Sequence, residues 1–150
     1  AAVTDTIFKY TTPKNGVMMI STMAFTPDGS TTAANSWFNS WSNNSLTGNG
    51  CFNAGVSLPN GAKITQIRAI YSKAIFMNFI AVEQSNGSGT TLASISKNNA
   101  STARTGFNFD FPTPHTVQTG KFQYGIGVCV NPGESFNGIR ILYTYDTAGE

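Results

Sequence analysis

Phe107, Phe109 and Phe111 alternate with Asn108 and Asp110. A chain with that period must put its rings on one face of a strand and its polar groups on the other. The same period runs through Phe122, Tyr124, Ile126, Val128 and Val130, and again through Ile139, Ile141, Tyr143 and Tyr145. No window of a dozen residues offers the i, i+3, i+4, i+7 spacing of an amphipathic helix. The chain is therefore expected to be all-β.

Further strands are expected at Thr6 to Tyr10, Val17 to Phe25, Cys51 to Leu58, Ile64 to Tyr71, Ile75 to Val82 and Thr90 to Ser96. Ile75 to Val82 is apolar on both faces, the mark of a strand covered on each side. Pro27-Asp28-Gly29, Pro59-Asn60-Gly61, Asn86-Gly87-Ser88-Gly89 and Asn131-Pro132-Gly133 supply turns between them, and Pro112 is expected to stop the Phe107 strand. Many short strands at this spacing specify a two-sheet antiparallel sandwich of the jelly-roll kind. At 150 residues, with no repeat and no linker, residues 1–150 form one domain. Phe107, Phe109, Phe111, Tyr124, Ile126, Val128, Ile139 and Ile141 are expected in its core, with Asn108 and Arg140 pointing outward.

Charged residues make up only 11% of the chain, against a usual value of about 25%. Asn, Ser, Thr and Gly take their place. The net charge of +2 comes from scattered residues with no basic run to track phosphates, so nucleic acid is not an expected partner. The longest apolar segment, Ala74 to Val82, is interrupted by Asn78 and falls far short of the roughly 20 residues a bilayer-spanning helix needs. The opening Ala1-Ala2-Val3 suits a chain left after signal-peptide cleavage, and a secreted or cell-surface location is expected.

Cys51 and Cys129 both fall in expected strands and have no Cys-x-x-Cys partner. Two buried free thiols are one reading; an intrachain disulfide is preferred because the chain otherwise looks extracellular. Val56-Ser57-Leu58-Pro59-Asn60-Gly61-Ala62-Lys63-Ile64-Thr65 and the closing Phe136-Asn137-Gly138-Ile139-Arg140-Ile141-Leu142-Tyr143-Thr144 resemble turn and strand sequences of little-characterised secreted bacterial β-sandwich domains. The resemblance spans roughly residues 51 to 145. It implies secretion and architecture and brings no catalytic motif with it.

Catalytic apparatus is sparse. His115 stands between Pro114 and Thr116 in an expected turn and reads as a surface histidine. Of seven acidic residues only Glu83 and Asp110 adjoin strands of the core, and an acid pair would need both in one cleft. No metal-ligand spacing is present, so neither an enzyme nor a cofactor or metal is expected.

Two segments invite a functional reading. Residues 30–49 form an expected long surface loop, with one short strand from Ser36 to Trp41. Its Trp37, Phe38 and Trp41 lie among amides and hydroxyls that suit sugar stacking or a protein interface, unless alternate rings simply cap the core. The N-terminal arm, residues 1–12 with Ile7, Phe8 and Tyr10, is set off by Thr11-Thr12-Pro13-Lys14-Asn15-Gly16 and either is the first strand of its own domain or pairs in trans with a neighbouring subunit's sheet edge. The leading expectation is accordingly a structural subunit of an extracellular filament, pilus or surface assembly, a homopolymer of this chain. The alternative is a secreted carbohydrate-binding or adhesive module that uses Trp37 and Trp41 on a glycan; a capsid protein is a third reading.

Overall fold

A computed structural model describes residues 8–29, 37–99 and 101–148. Eleven strands appear among them: β1 (Phe8–Ile20), β2 (Thr26–Pro27), β3 (Trp37–Ser40), β4 (Ser45–Gly48), β5 (Gly50–Val56), β6 (Lys63–Ser72), β7 (Ala74–Glu83), β8 (Gly89–Asn98), β9 (Arg104–Thr116), β10 (Phe122–Val130) and β11 (Ser135–Ala148). One sheet has the order β3-β4-β11-β6-β9, with β1 also paired to β11; the other has β2-β5-β10-β7-β8. We call them sheet A and sheet B. The orders β4-β11-β6-β9 and β5-β10-β7-β8 are those of a jelly roll, because from β4 to β11 successive strands cross between layers everywhere except the β7–β8 hairpin.

The inner faces meet in one core. Ile64, Ile67, Ile139, Ile141 and Phe136 line it from sheet A, and Phe52, Met77, Phe79, Ile126 and Val128 line it from sheet B, none more than 2% exposed. Cys51 and Cys129 are cross-strand neighbours of β5 and β10 and are joined by the disulfide. Both side chains lie on the outer face of sheet B, since the alternate positions Phe52 and Val128 face inward.

Several sequence expectations need correction. Phe107, Phe109 and Phe111 pack against the core but are not fully buried in it: β9 ends sheet A, and an edge strand lacks a neighbour on one side. Pro112 does not stop that strand. The register shifts between Ile64 and Gln66, so residues 111–114, with both prolines, bulge opposite Thr65, where no ladder hydrogen bond is demanded of them. Proline is tolerated at such an edge. Ile75 to Val82 is central within its sheet but covered on one side only, and Phe76 on its outer face is 45% exposed.

The strand expected from Val17 to Phe25 ends at Ile20. There the Ser21 hydroxyl accepts the Met23 N–H and caps a single 3-10 turn, Thr22–Ala24.

The described part of the N-terminal arm, residues 8–12, is likewise not a separate element. β1 is continuous from Phe8 through the supposed Thr11–Gly16 break and pairs antiparallel with β11 of its own chain, from Phe8 opposite Ala148 to Ile20 opposite Ile139. A register shift between Lys9 and Lys14 absorbs the extra residues. Tyr10 packs edge-on against Tyr145, and the Lys14 ammonium lies over the Tyr10 ring. Gly16 leaves the space that the Tyr143 ring fills on the neighbouring strand. Ile7 lies outside the described residues.

Candidate functional site

Residues expected as a loop with one strand instead build a hairpin. β3 and β4 pair from Trp37 opposite Gly48 to Ser40 opposite Ser45, leaving Trp41-Ser42-Asn43-Asn44 as the tip. Leu46 anchors it: it is fully buried and stands opposite Phe136 of β11. Residues 30–36, the rest of that expected loop, lie outside the described residues.

Alternation along β3 sends its rings in different directions. Trp37 faces inward, its ring edge-on to buried Phe52 at 5.9 Å, and it is 43% exposed. It caps the core at this end. Phe38, on the opposite face of the strand, is 67% exposed, and Trp41 at the tip is 80% exposed. The three aromatic residues therefore divide: one closes the sandwich and two are presented to solvent.

The tip is held rigidly by a residue whose role the sequence did not reveal. Asn44 adopts the left-handed conformation (φ 48°), which asparagine tolerates better than most residues. Its Oδ1 accepts from the Ser21 hydroxyl, the Thr22 hydroxyl and the Thr22 N–H, at 2.9–3.0 Å. Its Nδ2 donates to the Asn137 carbonyl at 2.7 Å, and the Asn137 amide returns a bond to the Asn44 carbonyl. Asn39 Nδ2 adds a bond to the Thr22 carbonyl, and Arg104 reaches from β9 to the Asn43 carbonyl. Gly138 (φ 115°) makes this possible, since a Cβ there would crowd the Asn44 amide and the Ile20 carbonyl. The hairpin is thus bolted to the 3-10 turn, to β11 and to β9, and the exposed rings stand on a preorganised platform.

The other candidate residues do not converge. Glu83 closes β7 in sheet B beside Lys121, whereas Asp110 lies on the outer face of sheet A and accepts from Gln66. They share no cleft. His115 is not in a turn: it stands on β9 opposite Ile64, half-buried, with Nε2 2.9 Å from the Tyr124 hydroxyl. That hydroxyl also accepts the Gln118 N–H, which leaves its proton free to be given to an unprotonated Nε2. Burial pulls the His115 pKa below its ordinary 6.5 and pushes that of Tyr124 up. Among the described residues no group of three His, Cys, Asp or Glu side chains could hold a metal ion.

Gly125 and Gly127 of β10 lie on the outer face of sheet B, alternating with the inward Tyr124, Ile126 and Val128. With Asn53, Ile80 and Val82 the two glycines floor a shallow depression of about 200 Å³ on that outer face.

No protein-family model matches the chain, and no curated protein matches it. Solved structures with a similar course include the C-terminal CBM6 of LamC, a marine laminarinase from Zobellia galactanivorans, at 14% identity and TM-score 0.47, over 84% of this chain and 98% of that one. A CBM4 domain aligns at 12% identity and TM-score 0.42, over 84% and 93% of the two chains. TmCBM61, solved in complex with beta-1,4-galactotriose, aligns at 14% identity and TM-score 0.37, over 88% of each. These are likenesses of architecture at low identity and assign no ligand to this chain.

Proposed function

We propose that the protein is a secreted, non-catalytic carbohydrate-binding module whose contact surface is the β3–β4 hairpin, with Trp41 and Phe38 stacking on sugar rings. The observation that carries this reading is Trp41: a ring 80% exposed, at the tip of a hairpin fixed by the Asn44 hydrogen bonds. Exposing a large ring forgoes the free energy of burying it, and pinning it removes the entropy loss that a mobile loop would suffer on binding. The neighbouring Ser42 and Asn43 are neutral hydrogen-bonding groups, as sugar hydroxyls require. The disulfide supports an oxidising, extracellular setting. The filament reading loses support, because the described part of the arm, from Phe8 onward, belongs to a strand paired in cis with β11.

The test is tryptophan emission titrated with a broad set of soluble glycans. A binding glycan should shift or quench it, and Trp41→Ala should weaken affinity about tenfold or more, the size expected of an interface anchor. No response from the wild-type protein to any glycan in the set would sink the proposal.

A further inference from the structure

The outer face of sheet A carries an arrangement that folding does not require. Arg140 of β11 and Arg68 of β6 are direct cross-strand partners on that face. Like charges placed opposite one another destabilise a sheet. Among the described residues neither guanidinium forms an ion pair; the ion pair present is Lys121 with Glu83, on the other sheet. Each side chain reaches to the next strand of the sheet. Arg140 donates from Nη2 to Gln66 Oε1 at 2.9 Å, while Arg68 donates from Nη1 to Asn108 Oδ1 at 2.9 Å and lies over Gly106, where a Cβ would overlap it. Asp110, the nearby acid of this face, accepts the Gln66 amide. Each arginine therefore spends one N–H on a neutral amide, and Arg140 Nε has no acceptor among the described residues.

We propose that Arg68 and Arg140 form a subsite for an oxyanion substituent, carboxylate or sulfate, on a glycan that also engages the β3–β4 hairpin; this rests on the reading of the hairpin as a sugar-binding surface. An oxyanion between the two guanidiniums accepts N–H groups from both and cancels their repulsion. Phe38 is on the same outer face as this pair, and strand spacing and rise place Arg140 roughly 20 Å from it. The ligand is accordingly an oligomer several sugars long with acidic substituents.

The experiment titrates the full chain with polygalacturonate, a sulfated galactan and a neutral galactan, at low and high salt, by calorimetry and tryptophan emission. The expected result is a preference of about tenfold or more for an acidic polymer over the neutral one at low salt, shrinking as salt rises. Polygalacturonate against sulfated galactan tells carboxylate from sulfate. Arg68→Gln and Arg140→Gln should each collapse the preference. Arg68→Lys should keep part of it, since a lysine supplies charge without the fork. Because Arg68 is on the outer face, Arg68→Gln and Arg68→Lys suffice if Arg140→Gln does not fold. Equal binding of acidic and neutral polymers, or a preference that survives Arg68→Gln, would overturn this proposal alone. If none of the polymers or other glycans binds, it falls together with the hairpin reading. Tighter binding of a single-stranded oligonucleotide than of any acidic polymer would overturn it as well.

Discussion

β9 and β10 are successive strands of the chain and carry the same alternation, yet they end in different places. Tyr124, Ile126 and Val128 of β10 are buried, whereas Phe107, Phe109 and Phe111 of β9 are only partly buried. The difference is one of position: β10 has β5 and β7 on its two sides, and β9 has β6 on one. A two-residue period says which face a side chain takes. How deeply that face is covered depends on where the strand sits in its sheet, and that information lies in the rest of the chain.

Removing the cross-link is the severest way to probe the central strand. By the chain-entropy estimate, the 78-residue separation of Cys51 and Cys129 contributes about 4.5 kcal/mol to stability. The paired substitution Cys51→Ser with Cys129→Ser should lower the unfolding free energy by about that amount, read by urea titration. A loss under about 1 kcal/mol would mean that the register of β5 against β10 is held by packing alone.

Two phenylalanines test centre against edge directly. Phe79 of β7 is fully buried beside Ile126, and Phe79→Ala should cost about 3–5 kcal/mol. Phe109→Ala at the edge should cost less, about 2–3 kcal/mol, because its ring is only partly buried against the core. Equal losses from urea titration would mean that Phe109 is covered in solution by something that the fold of one chain does not supply.

Asn44→Ala addresses the region where hydrogen bonds replace packing. It removes three bonds accepted by Oδ1 and one donated by Nδ2, and a loss of about 2 kcal/mol is expected. Trp41 emission anisotropy should fall at the same time as the tip loosens. Unchanged anisotropy would show that the backbone pairing of β3 with β4 fixes the tip unaided.

The same distinction decides how much the sequence could reveal. The inner and outer faces of β6, β7, β10 and β11 and the turns between them rest on local period and turn chemistry, and they emerged close to their observed positions. The Cys51–Cys129 pairing followed from composition and the extracellular character of the chain. Strand order did not emerge, because β11 pairs with β1, β4 and β6 and no local pattern names three partners. The exposed rings of the hairpin stood out as Trp37, Phe38 and Trp41, but their division into one cap and two exposed rings needed Phe52 in place. Asn44 was hidden among many asparagines, since its partners Ser21, Thr22 and Asn137 are remote in sequence. The Arg68–Arg140 pair was equally hidden, because opposition across two strands is a matter of register.

The smallest effect probes the side-chain hydrogen bond that joins the two compared strands. His115 of β9 meets the Tyr124 hydroxyl of β10 at 2.9 Å, and burial holds its pKa below 6.5. With the folded pKa lowered, the unfolded chain binds the proton more readily, so stability increases with pH across the interval between the two values. The contribution is therefore complete above about pH 6.5 and is lost as acidification proceeds from there toward the lower folded pKa. Protonated Nε2 becomes a donor, and the tyrosine hydroxyl must then accept from both His115 and Gln118. Part of the ring is in contact with water, which keeps the effect small. The measurement is the unfolding midpoint of wild type and His115→Gln between pH 5 and 8: the wild type should lose stability on acidification more steeply than the variant. Parallel pH profiles would show that edge and centre are joined here by packing, with the protonation state of His115 immaterial.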